Sequence, residues 1–90
     1  MIVAAMTDEE LRAIEDRCAA ATAGPWVSFV EGRDHECGSS FIRTGAERAH
    51  HQDIELTGAT VADQDFIAHA RQDVLRLLEE VQRLRARERR

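Results

Sequence analysis

Between Ile67 and Leu84 the apolar residues Ile67, Ala70, Val74, Leu77, Val81 and Leu84 recur at steps of 3, 4, 3, 4 and 3. This is an a/d seam of helical period lasting under three heptads, and it makes the last third of the chain helical. The seam alone extends roughly 25 Å at about 1.5 Å per residue. Its first half is needed to cover the rest of the fold. In a chain of 90 residues its second half outruns any surface the body can offer. Leu75 falls off the seam, on the opposite face. Either it meets another subunit, or the helix breaks near Gln72-Asp73 and restarts with Asp73 as N-cap. The surplus apolar surface predicts an oligomer interface of Val74, Leu75, Leu77, Leu78, Val81 and Leu84.

The remaining elements are shorter. Thr7 with Glu10 has capping-box spacing, and Leu11, Ile14, Cys18 and Ala21 follow as one apolar stripe, predicting a helix over 8–22. Gly24 suits the residue just past its end, and Pro25 forbids continuation. Trp26–Glu31 and Ser39–Thr44 are rich in β-branched, aromatic and hydroxyl residues, and 53–57 alternates with Ile54 and Leu56 inward. The linking segments 32–38 and 45–52 are polar and too long for two-residue hairpins. Thr60 with Asp63 marks the start of the last helix. The expected fold is α+β, ordered α-β-β-β-α, a three-stranded antiparallel sheet with two helices on one face. Residues 7–82 form its single domain, 1–6 an extension and 83–90 a basic helix end.

Charge narrows the partners. All twelve basic residues are arginine. Residues 1–80 hold 7 of them against 16 acids, while residues 81–90 hold 5 against one. An acidic body argues against nucleic acid, whose phosphates require clustered cations. The terminal arginines suit a helix C-terminus, or else touch an anionic surface. No apolar run is long enough for a membrane span, and 1–6 is too short and lacks the basic start of a signal peptide. Cys18 and Cys37 are therefore expected as reduced thiols in a cytoplasm.

The segments Ala19-Ala20-Ala21-Thr22-Ala23-Gly24-Pro25-Trp26, Ala62-Asp63-Gln64-Asp65-Phe66-Ile67-Ala68 and Leu77-Leu78-Glu79-Glu80-Val81 carry a resemblance. They resemble small phage and prophage proteins related to the Ead family of phage early proteins, which show "ATPGPW" after a first helix and "A-D/N-A-x-F/Y-I-A" opening a last helix ending "LLxEV/LxxLR". The chain departs from that pattern at Ala23, where proline is usual, and at Leu75, near a common proline. The resemblance implies a short accessory protein of phage or mobile-element type, in the cytoplasm of a bacterial host and without enzymatic activity.

Several clusters offer chemistry. Asp34-His35-Glu36-Cys37 and His50-His51-x-Asp53 contain metal-ligating types, but the spacing of His35, Cys37, His50 and His51 matches no metal motif, and no metal or other cofactor is expected. No Walker A, dinucleotide-glycine or nucleophile-elbow pattern is present in the sequence. Arg33, Ser39, Ser40 and Arg43 flank one hairpin, and with His69 and Arg71 they are the side-chain types that hold a phosphate or carboxylate. Alternatively the hairpin arginines pair with Glu31, Glu36 or Glu55. Asp65 and His69, four apart on a helix, invite a carboxylate–imidazole contact. The leading expectation is a non-enzymatic homo-oligomer that binds a host or defence protein, for counter-defence or host takeover. The alternative is a binder of a nucleotide-like small molecule at a subunit interface.

Overall fold

A computed structural model describes residues 5–45 and 53–89. Helix α1 (Asp8–Ala20) is followed by strands β1 (Val27–Phe29), β2 (Phe41–Arg43) and β3 (Asp53–Ile54), then by helix α2 (Val61–Glu88). The strands form one antiparallel sheet in the order β1-β2-β3, with Phe29 opposite Phe41 and Ile42 opposite Ile54. The fold is the expected α-β-β-β-α arrangement, with shorter strands.

Both predicted caps form. Thr7 Oγ1 accepts from the Glu10 N–H while the Glu10 carboxylate accepts from the Thr7 N–H, at 3.0 and 2.9 Å. Thr60 and Asp63 make the same reciprocal pair at 3.0 and 3.1 Å. Each box satisfies two N–H groups that the first helical turn leaves without intrahelical partners.

The predicted end of α1 differs. The helix stops at Ala20, its cap Ala21 is extended, and Gly24 has no left-handed conformation. Gly24 serves a close approach instead, since a Cβ there would lie 3.3 Å from Gln72 Oε1. A predicted helix terminator is thus a packing residue.

Helix α2 contacts β1 and β2, and α1 packs on α2. The expected pair of helices on one sheet face is realised as one helix that covers the strands and a second that leans on the first. Ile42 and Ala68 are wholly buried, and Leu11, Val30, Phe41 and Leu78 complete the buried apolar set among the described residues. Full burial of a side chain such as Ile42 stabilises by about 1.5–3 kcal/mol, so this core is modest. The shape is extended. A 90-residue domain has an expected radius of gyration of about 12 Å, whereas this chain measures 16.4 Å, with extents of 53 × 36 × 18 Å.

Candidate functional site

Helix α2 is continuous through Gln72-Asp73, which removes the break as an explanation of Leu75. Its buried residues lie off the periodic seam. Gln64, Ala68 and Leu78 are the buried residues of the helix, and Leu75 lies between them on the same side. Leu75 nevertheless stays 40% exposed, and the seam is graded, with Ala70 and Val81 half-buried and Leu77 the most exposed at 64%. Leu78, predicted at an interface, is 5% exposed and belongs to the interior of the protomer. Val81 is half-buried, and Val74 and Leu75 are exposed.

The inward face is polar because its side chains bond distant backbone. Gln64 Nε2 donates to Ser28 Oγ at 2.9 Å and to the carbonyls of Phe29 and Phe41, both at 3.2 Å. Gln72 completes a two-way pair with Trp26, accepting its N–H at 2.9 Å and donating to its carbonyl at 3.1 Å. Arg71 donates to the carbonyls of Cys18 and Thr22, both at 3.0 Å, neutralising the partial negative charge at the end of α1. At the other end Arg85 binds the Asp8 carboxylate at 2.9 Å and the Met6 carbonyl. The helices are thus antiparallel and tied at both ends by arginines from α2.

Outside this scaffold runs the apolar face. Phe66, Ile67, Val74, Leu77 and Leu84 are all exposed, Leu77 at 64% and Phe66 at 74%. Beside it, Ile14 and Cys18 of α1 and its cap Ala21 face Ile67, Ala70 and Val74 across an open groove of about 280 Å³. The groove continues the exposed seam onto α1.

The predicted anion cradle does not assemble. Arg33 reaches Asp65 through both terminal nitrogens, at 2.7 and 3.0 Å, and Asp34 through two of its nitrogens, at 3.0 and 2.8 Å. These hydrogen bonds hold the Asp65 carboxyl at about 2, the Arg33 contribution first and that of Ser28 second. They also raise Arg33 and, with the Val30 N–H, lower Asp34. His69 Nδ1 faces the Asp65 carbonyl at 2.8 Å rather than its carboxylate. Arg33, Asp65 and His69 share a groove with Trp26 and Gln72. Arg71 sits instead at the end of α1, and Arg43 lies on the sheet face opposite Ser28 and Ile42, over the rings of Phe29 and Phe41 and 3.8 Å from Asp53. Ser40 accepts from the Glu31 N–H at 3.1 Å, and Ser39 is half-buried nearby. The expected glutamate partners of Arg33 and Arg43 are replaced by aspartates.

The loop from Glu31 to Gly38 folds back on the outer sheet face. There it brings His35 and Cys37 together with Glu31, which the sequence reading had not placed in the set; His50 and His51 lie outside the described residues. The motif Glu-Gly-x-x-His-x-Cys-Gly was the available signal. In comparisons with known families, characterised proteins and solved structures, the chain has no significant match.

Proposed function

We propose that this chain is a non-enzymatic binding protein that works as a homo-oligomer, with a second copy of itself covering the exposed seam of α2. The observation that carries this reading is the run of outward apolar side chains at coiled-coil spacing, with Leu77 64% exposed at its centre. A stripe of this kind costs solubility on a lone chain and is the ordinary surface of a helix–helix interface. The extended shape supports the same reading, because pairing two thin protomers restores the thickness that a small domain ordinarily has.

On this proposal the assembled protein acts in the cytoplasm of a bacterial host, on a host or defence protein. Support comes from the likeness to phage early proteins and from the acidic body, which favours a basic protein surface over nucleic acid. The small-ligand alternative gains no comparable support, since Arg33 and Arg71 are engaged within the fold.

Sedimentation equilibrium with Leu77→Asp tests the oligomer. Leu77 has little to lose from the protomer interior, so the variant is expected to keep its circular dichroism while its self-association weakens on the order of a hundredfold, because the interface would have to bury an unpaired carboxylate. A wild-type protein that sediments as a monomer overturns the proposal.

A further inference from the structure

The loop between β1 and β2 carries a group of side chains unrelated to the helical seam. Glu31, His35 and Cys37 place a carboxylate oxygen, an imidazole nitrogen and a thiol sulfur within 4.8 Å of one another. Two of the three donors are already positioned. The His35 ring packs beside Phe29 and Phe41, with centroids at 6.2 and 5.2 Å. Its Nδ1 lies 3.3 Å from Glu31 Oε2 and accepts from the Cys37 N–H at 3.1 Å. Glu31 Oε2 in turn accepts from the Gly38 N–H at 2.8 Å. The loop can double back this tightly because Gly32 and Gly38 have φ of +81° and +104°, where side chains are strained.

We propose that Glu31, His35 and Cys37 bind one Zn²⁺ ion per chain. The donor set is chemically apt, since carboxylate, imidazole and thiolate are the three protein ligands zinc takes, and a tetrahedral ion would leave its fourth position to water. The charge also closes, because one carboxylate and one thiolate neutralise a divalent ion bound to neutral imidazole. His35 Nδ1 faces the Glu31 carboxylate and accepts from the Cys37 N–H, while Nε2 is buried with no hydrogen-bond partner among the described residues. Because Nδ1 accepts the Cys37 N–H, the proton sits on Nε2, and metal binding would exchange that hydrogen bond for coordination by the single Nδ1 lone pair. The ligand atoms, all within 4.8 Å of one another, would draw in to a spacing of about 3.5 Å around a zinc ion, and Cys37 is exposed. As the sulfur–zinc bond forms, the thiol proton passes to solvent. The bound ion would clip the two ends of the loop to the outer face of the sheet.

Cobalt(II) titration of the untagged full chain tests this, with Zn²⁺ added afterwards as competitor. Expected are one Co²⁺ per chain, an intense near-ultraviolet thiolate-to-cobalt band, and its loss on adding Zn²⁺. Cys37→Ser should abolish the band, and Glu31→Gln should weaken binding about tenfold or more. Both positions are exposed, so neither variant should unfold the chain. A band that survives Cys37→Ser would place the metal on Cys18 and overturn the proposal. So would Co²⁺ binding that is equal in the wild type and in a Glu31→Gln, Cys37→Ser double variant.

Discussion

The two faces of α2 depart from the usual division of a surface helix, because polar side chains join Ala68 and Leu78 on the inward face while large apolar ones stand outside. Toward the protein it presents Gln64, Gln72, Arg71 and Arg85, each bonded to backbone far away in sequence. Toward solvent it presents Ile67, Val74, Leu77 and Leu84. An amide that reaches two carbonyls at short range can hold a helix against a sheet as an apolar side chain does, and it adds direction. The comparison teaches that hydrophobic period identifies a helix reliably, while the choice of buried face also depends on where unsatisfied backbone groups lie. Here those groups are on β1 and β2, at Trp26 and at the two ends of α1, and the polar side chains follow them. The apolar face is left for something else.

The largest effect within the protomer is expected at Gln64. Gln64→Ala opens a buried space and leaves carbonyls of Phe29 and Phe41 without that donor, which should destabilise by about 2–4 kcal/mol in urea unfolding. A loss below about half a kcal/mol would mean that the inward amides are incidental. Arg71→Ala comes next. Removing the guanidinium from the Cys18 and Thr22 carbonyls should cost about 1–2 kcal/mol, read from the same transition. Thr60→Ala removes one half of the α2 capping box and should cost about 1 kcal/mol, with the loss visible as fraying of the first turn in amide exchange.

On the outward face, Leu84→Ser should leave the unfolding free energy of the separated protomer within about half a kcal/mol, measured under conditions that keep wild type and variant dissociated. A loss as large as that of Gln64→Ala would show that the seam serves the protomer and would end the contrast between faces.

The smallest and most conditional effect concerns acid. Asp65 has its folded carboxyl lowered from 3.8 to about 2 by Arg33 and Ser28, so its contribution is complete above the unfolded value and is lost as pH falls toward 2. Urea midpoints of wild type and Asp65→Asn should converge as pH drops through that window. Curves that stay parallel between pH 4 and 2 would show that the Arg33 pair is not coupled to folding.

What was legible follows from range. The capping boxes join residues three apart, so Thr7 with Glu10 and Thr60 with Asp63 could be read directly, and so could the order of helices and strands. The inward role of Gln64 and Gln72 could not, because their acceptors at Trp26, on β1 and on β2 come near only after the chain folds. The same reason governs the residues expected to hold an anion. Arg33 and Arg43 were expected to face a ligand or neighbouring glutamates, and Asp65 and Asp53 met them instead. Gly24 was read locally as a helix terminator and is used for a tertiary approach to Gln72. At the hairpin, His35 and Cys37 were noticed but Glu31 was not, since its approach depends on two left-handed glycines whose conformations the motif alone does not dictate.

The arginine ties between the helices also bear on the order in which the chain can acquire structure. Asp8 and Arg85 meet across most of the chain's length, as do Cys18 and Arg71. Helix α1 is translated first, yet its packing partner is the last of the five elements. While α2 is still being synthesised, α1 has only its cap and a narrow apolar stripe, too little to hold an isolated helix of 13 residues. Folding of the helix pair is therefore a late event that waits for distant contacts, and such contacts set a slow rate for a domain of this size. Until then the nascent chain exposes the apolar residues of both helices, so its early life is the interval in which it is most open to misassociation.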